Sequence, residues 1–331
     1  MNPEHLTKLR ADFQLGDVLE IAESTEGVLN RNYILRTNVG KFFVKHVRDK
    51  AKDRVPEVVL IETFMRERGI PAVCMRASTS GERCATYDGS VYCVYPFIES
   101  DRTHNYRAED YVRMGALLGQ IHQAGSKEIP LALTKQQFAF KETNIIQETL
   151  ENRRAEILAI AQPTGIDEVF LSYLDLKLAH LPAFTSAPTP VNSTLIHGDY
   201  HAGNLLIAAD TREIIGVCDW EKAIMAPRAY ELARSILYIS FSGDYDENAA
   251  LATARAFMKG YASAYPISEE ELREGFRLLL MQTVRSTWIE HHHYDLHDTR
   301  VDQFVEHEAR LIRDFVDGNL LEHLLAQSHF A

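Results

Sequence analysis

The stretch Thr194-Leu195-Ile196-His197-Gly198-Asp199-Tyr200-His201-Ala202-Gly203-Asn204, followed by Val217-Cys218-Asp219-Trp220-Glu221, decides the reading of this chain. Across 194–221 two short apolar runs predict strands, with a polar loop ahead of the second. Asp199 and Asn204 fall in that loop, and Asp219 ends the second strand. A single aspartate in a turn is ordinarily an Asx-turn or a helix cap. Two carboxylates and an amide at these spacings, each beside a buried strand, instead converge on one polar site.

The flanking sequence is mostly helical. Ala108–Ala124 carries an apolar stripe at Val112, Leu117, Leu118 and Ile121, and further helices are predicted over about 141–161, 167–181, 227–239, 247–265, 269–289 and 302–325. The first hundred residues differ. Segments 28–37 and 41–47, around the turn Asn38-Val39-Gly40, predict a hairpin. Residues 56–68 predict a helix stopped by Gly69-Ile70-Pro71, and 82–86 and 91–98 predict two more strands. The expected fold class is α+β and bilobal. A small antiparallel sheet with one helix occupies 1–97, and a larger, mainly helical lobe occupies 98–331.

A length of 331 residues suits two lobes sharing a cleft. With 46% apolar and 25% charged residues, a disordered, collagen-like or coiled-coil chain is excluded. No apolar run approaches the roughly 18–20 residues of a spanning helix, and the first residues lack a basic-then-apolar leader. A cytoplasmic protein without a membrane partner is expected. Cys74, Cys84, Cys93 and Cys218 show no metal-ligand spacing and read as reduced thiols. The net charge of −12 has the wrong sign for a nucleic-acid binder. That charge is uneven, +1 over 1–97 and −13 over the remainder. An acidic second lobe suits a cationic small substrate, and equally an acidic solvated surface.

The pattern HGDxxxxN from His197 to Asn204, with a later strand ending in Asp219, resembles the catalytic and metal loops of the aminoglycoside phosphotransferase and choline kinase group. These are small-molecule relatives of the protein kinases, and homoserine kinase-type enzymes fall among them. Asp219-Trp220-Glu221-Lys222-Ala223 resembles the choline kinase version most. Pro227-Arg228-Ala229-Tyr230-Glu231-Leu232-Ala233 resembles the family's next helix, with Glu231 where Asp is usual, which leaves its bracing role open. Gly119-Gln120-Ile121-His122 resembles a family helix ending and makes His122 a packed structural histidine. The resemblance implies a protein-kinase-like fold, ATP and Mg²⁺, and transfer of the γ-phosphoryl group to a hydroxyl of a small molecule.

That chemistry needs the polyphosphate charge neutralised and the acceptor hydroxyl aimed in line. Asp199 can accept the hydroxyl proton, while Asn204 and Asp219 supply a neutral and an anionic oxygen to Mg²⁺. His197 is expected to brace the loop rather than act as base. Lys45 lies inside a half-buried strand, costly unless its ammonium finds an anion. The resemblance makes it the phosphate lysine with a helix-glutamate partner, Glu57 first and Glu62 second; an edge-strand lysine pointing to solvent is the other reading. Residues 24–32, with Gly27 and Asn30, would form the loop over the phosphates. Pro96 and Ile98 would offer the adenine a carbonyl and an N–H, although Pro96 can also simply end its strand. No G-x-x-x-x-G-K-[ST] is present, which excludes a P-loop enzyme.

Only 220–226 separate Asp219 from Pro227, a favoured first-turn residue. That is too short for a peptide-docking loop and points to small acceptors; the resemblance implies aminoglycoside-type compounds, choline or ethanolamine, or homoserine. Trp220 and Trp288, with Tyr238, Phe241, Tyr245 and Tyr294, either cage a cationic acceptor or pack in the core. Glu221 either meets that cation or pairs internally with Lys222 or Arg228. Glu290-His291-His292-His293 and His297 are poor zinc ligands, since consecutive histidines on a helix diverge and no cysteine is near. The reading from another class is an inactive pseudokinase that binds without turnover; the filled catalytic and metal positions oppose it.

Overall fold

The structure, a computed structural model, describes residues 1–24, 31–47, 49–101, 103, 105–134, 138–185, 193–243 and 245–326. The chain opens with helix α1 (Pro3–Phe13), whose first turn is capped by the Asn2 side chain accepting from the Glu4 amide at 2.8 Å. Five strands follow, β1 (Val18–Ser24), β2 (Arg31–Thr37), β3 (Gly40–Val47), β4 (Cys84–Tyr87) and β5 (Ser90–Pro96), with helix α2 (Val55–Glu67) between β3 and β4. They form one antiparallel sheet in the order β1-β2-β3-β5-β4. The expected hairpin turns between Thr37 and Gly40.

Helix α1 and strand β1 are additions to the expected lobe. In α1 the burying face is only His5, Leu9 and Phe13, one residue per turn, which packs on Tyr33, Leu35, Val44 and Val94 of the sheet. Strand β1 is an edge with Leu19 and Ile21 exposed, so its apolar residues carry no buried periodicity to read.

The second lobe contains α3 (Ala108–Ala124), α4 (Thr143–Leu158), α5 (Gly165–His180), α6 (Arg228–Ser240), α7 (Glu247–Ala264) and α8 (Glu269–Arg285). Helices α3 and α7 cross at Gly115 and Gly260, where any Cβ would strike the facing backbone. A short turn α9 (Trp288–Glu290) follows α8, then α10 (Gln303–Ile312) and α11 (Leu320–Leu325), so the helix expected over 302–325 is broken around Gly318. Four short strands carry the polar unit. Strand β6 (Ser193–Ile196) pairs with β9 (Ile224–Pro227), and β7 (Leu205–Ile207) with β8 (Ile214–Val217). Residues 71–73 from the first lobe grip β8, the Val217 amide donating to the Pro71 carbonyl at 2.8 Å and the Val73 amide to the Val217 carbonyl at 3.0 Å. The buried face of α2 joins the same continuous core as the helical lobe.

Candidate active site

Strand β6 buries Leu195 and Ile196 and delivers His197, Gly198 and Asp199 at its end. Gly198 has a left-handed backbone (φ +80°), and a Cβ there would lie inside the van der Waals shell of the Lys222 carbonyl oxygen. Only glycine lets the loop of Asp199 pass against the turn after Asp219. His197 is fully buried. Its Nε2–H donates to the Cys218 carbonyl at 2.9 Å, and its Nδ1 accepts from the Asp199 amide at 3.2 Å. Both ring nitrogens are engaged in holding the two loops, which leaves neither as a base.

Glu231 of α6 anchors the same loop from below. Its carboxylate accepts from the His197 amide at 2.8 Å, the Gly198 amide, and His122 Nε2 at 2.9 Å, with the Tyr261 hydroxyl on the other nitrogen of His122. Burial would raise the Glu231 pKa, but the His122 hydrogen bond and neighbouring groups outweigh it and lower the carboxyl below its ordinary range. The longer side chain therefore reaches both loop amides.

Asp199 sits between two cations. Oδ1 accepts from Arg234 Nη2 at 2.6 Å and Oδ2 from Lys222 Nζ at 2.9 Å. Burial pushes this carboxyl up, and the charges of Arg234, Lys222 and His201 overcome that push and hold it well below the usual carboxylate range. Asn204 donates through Nδ2 to the Asp199 carbonyl at 2.8 Å, which orients its amide and leaves Oδ1 as the acceptor. Asp219 stands in a left-handed conformation (φ 65°, ψ 61°) at the end of β8, close enough for its charge to be felt at Asp199.

Lys45 lies on β3, opposite Asn32 of β2 and Cys93 of β5, so it sits in a central strand rather than an edge. Its side chain is 9% exposed and bridges Asp219 Oδ1 at 3.0 Å and Glu221 Oε1 at 2.9 Å. Burial alone would lower its pKa, and the two carboxylates raise it instead. Glu57, expected beside Lys45, pairs with Arg54 at 3.3 Å in the first turn of α2, where an i,i+3 partner is nearer than the sheet. Glu62, five residues on and therefore on another face, is buried and accepts from the Met75 amide at 2.9 Å and the Tyr95 hydroxyl at 3.1 Å. Burial pushes its carboxyl up to about 7 despite those bonds and the nearby charge of Lys45.

Glu221 meets Lys45, while Lys222 and Arg228, its other expected partners, pair with Asp199 and Glu271. Trp220, expected at the acceptor, is wholly buried, its ring tilted against that of His197 with centroids 4.5 Å apart and its Nε1 donating to the Val217 carbonyl at 3.2 Å. Its indole is core because the short turn after Asp219 folds it inward. Trp288 packs on Phe304 and donates to Glu308 at 3.2 Å. Phe241 is core, and Tyr294 is bonded to Asp167, so the six aromatic residues do not form one cage. Pro96 closes β5 opposite Phe42, and the Phe97 amide donates to the Lys41 carbonyl at 3.2 Å, while β4 pairs with β5 only from Ser90 to Cys93. The edge at Pro96 and Ile98 is therefore not covered by β4. Gly27 and Asn30 lie outside the described residues. His291, His293 and His292 face Asp295, Asp302 and Asp298 at 2.7, 2.7 and 3.6 Å, and among the described residues no group of three or more His, Cys, Asp or Glu is arranged as a metal site.

Sequence reasoning missed Arg234 and Lys222, the two cations on Asp199. The available signal was an arginine set among the apolar residues of Leu232–Leu237, a costly position for a charge without a partner.

The family model of the phosphotransferase enzyme family (APH) matches residues 20–267. A homoserine kinase of Afipia carboxidovorans is 25% identical over 294 residues, which span 86% of this chain and 85% of that protein. The spectinomycin phosphotransferase APH(9)-Ia in its AMP-bound complex has a TM-score of 0.68 at 15% identity, over 98% of each chain. The amicoumacin kinase hAmiN, in complex with AMP-PNP, Ca²⁺ and Ami, has a TM-score of 0.66 at 14% identity, over 96% of this chain and 94% of that one. The bilobal, protein-kinase-like fold of these neighbours is the fold described above. The chain belongs to the phosphotransferase enzyme family, as a kinase that acts on a hydroxyl group of a small molecule.

Proposed function

We propose that this protein transfers the γ-phosphoryl group of ATP, bound with Mg²⁺, to a hydroxyl of a compact amine-bearing molecule in the cytoplasm. The observation that carries the reading is the meeting of three elements from distant sequence: Asp199, Asp219 and the buried Lys45 across the cleft. Residues 1–97 then bind the nucleotide, with the backbone of Pro96 and Ile98 at the adenine. Lys45 leaves Asp219 for the phosphates when nucleotide arrives, and Glu221 and Glu62 are the carboxylates near enough to receive it otherwise. Glu57 has no part in that exchange.

Asp219 and the oriented Oδ1 of Asn204 suit a hard cation that keeps waters and phosphate oxygens among its ligands. When bound, that ion neutralises phosphate charge. Asp199 is a weak base while two cations hold it, so its first contribution is to aim the hydroxyl. Lys222, 53% exposed, is the cation freer to move toward the incoming phosphoryl oxygens. The acidic second lobe and the amine of homoserine, the substrate named for the Afipia relative, favour a cationic group on the acceptor. No helix among the described residues is long and apolar enough to cross a membrane, and Cys74, Cys84, Cys93 and Cys218 form no disulfide among the described residues, which supports a reducing compartment.

Replacement of Asp199 by Asn keeps the shape and removes the proton acceptor. Phosphate transfer should fall by roughly 10²–10⁴ with nucleotide affinity little changed. Parent-like turnover in Asp199→Asn would remove this residue from the role, and a parent without transfer to any hydroxyl compound would return the pseudokinase reading.

A further inference from the structure

Arg234 Nη2 meets one oxygen of Asp199 and Lys222 Nζ the other, so Asp199 engages only part of the guanidinium. Arg234 also stands away from the nucleotide side, where Lys45 joins Asp219 and Glu221. Its guanidinium lies 4.4 Å from the centroid of the Tyr238 ring, one turn further along α6. Tyr238 in turn faces His201 of the catalytic loop at 6.4 Å and His307 of α10 at 6.0 Å. Arg234 therefore points into the wall between the catalytic loop and α10, where a hydroxyl acceptor must lie to reach Asp199.

Two polar atoms on this wall are buried without a hydrogen-bond partner, Arg234 Nη1 and His307 Nε2. A guanidinium nitrogen is a strong donor, and burying it unpaired is unfavourable until an acceptor arrives. The carboxylates nearby do not compete for a cation. Glu308 takes the Tyr173 hydroxyl and Trp288 Nε1, Glu290 pairs with the buried Lys177 at 2.8 Å, and Asp314 faces Arg310 at 3.4 Å and the Tyr245 hydroxyl. Each of these carboxylates thus has a donor of its own, while Arg234 Nη1 is left over.

We propose that Arg234 determines acceptor specificity by taking a carboxylate of the substrate, so that the acceptor is a small hydroxy-amino acid rather than a plain amino alcohol or a polycationic aminoglycoside. This rests on the kinase reading above. A permanently charged donor held in a fixed plane, with one nitrogen on Asp199 and the other toward the substrate, is what a guanidinium offers and an ammonium does not. His307 Nε2, on the far side of Tyr238, is placed to meet the substrate's second polar group.

The test uses the full chain with Mg–ATP and three pairs of acceptors that differ only by a carboxylate: serine and ethanolamine, homoserine and 3-aminopropan-1-ol, threonine and 1-aminopropan-2-ol. Phosphorylated product is measured by ³¹P NMR and kcat/KM by ADP release. The best acceptor should be an amino acid, preferred over its decarboxylated partner by roughly 10²-fold, the scale of a charge-assisted pair. Arg234→Met should collapse that ratio to near unity by raising KM for the amino acid, and Arg234→Lys should keep part of it. An equal loss on both members of a pair would mean that Arg234 acts only through Asp199, and the proposal falls. The ranking in the parent needs no variant, so it decides even if Arg234→Met does not fold. If an amino alcohol or an aminoglycoside is the best acceptor, the proposal is overturned and the kinase reading stands. If no hydroxyl compound is phosphorylated, both are overturned.

Discussion

Glu231 offers a stringent check on how the catalytic loop is held. Its carboxylate is wholly buried and receives three donors, the His197 and Gly198 amides and His122 Nε2. Glu231→Ala leaves all three without an acceptor in a dry interior. A buried, hydrogen-bonded charge broken on one side costs about 3–5 kcal/mol. Glu231→Gln keeps one carbonyl oxygen but turns an NH₂ toward a donor, so about 1–3 kcal/mol is expected. Both variants also free the main chain that positions Asp199, and a displacement of about 1 Å can cost roughly 10²-fold in turnover. The measurements are urea unfolding followed by circular dichroism, and kcat beside nucleotide affinity. Stability should fall in the order parent, Gln, Ala, with kcat falling while nucleotide affinity holds. Because the folded carboxyl lies below its ordinary value, this stabilisation is complete at neutral pH and lost as pH falls through the acid range. A Gln variant with the parent's unfolding midpoint and turnover would refute the account.

Asp219→Ala should abolish metal-dependent nucleotide binding, measured by calorimetry with and without Mg²⁺, because it removes the anionic oxygen and leaves Lys45 with Glu221 alone. Parent-like Mg–ATP binding would count against the metal assignment. Glu62 titrates with its pKa raised from 4.5 to about 7, so the folded state holds a proton that the unfolded chain has lost over that interval. Its contribution is therefore complete below pH 4.5 and is lost as pH rises to about 7. In Glu62→Gln, stability measured across that range should lose this downward slope; an unchanged slope would assign it to another group.

The loops around Asp199 and Asp219 were legible because their chemistry depends on residue type and spacing within a short segment, and spacing survives in a sequence. The partner of Lys45 was not. Glu57 and Glu62 differ by a rotation about α2 that only packing resolves, and the carboxylates that actually meet Lys45 come from more than 170 residues away. Trp220 shows the same limit from the other side. An aromatic residue next to a metal-binding aspartate reads as pocket or as core with equal ease, until the turn that buries it is known. Arg234 was hidden because one charge on an apolar helix does not state which loop it will meet. The resemblance to a family with Asp at position 231 raised a doubt that the structure removes, since the extra methylene of Glu231 still lets it reach both amides.

The contact between Gly198 and the Lys222 carbonyl fixes a gauge inside the enzyme. Main-chain atoms set the gap between the loop of Asp199 and the turn after Asp219, with no side chain interposed to lengthen or shorten it. Selection for a new acceptor has no adjustable part on that side. On the proposed reading, diversification acts through α6 and α10, where Arg234, Tyr238 and His307 lie outside that contact. One rigid transfer chamber can in this way serve chemically unrelated alcohols across a family, each admitted by its own interchangeable wall.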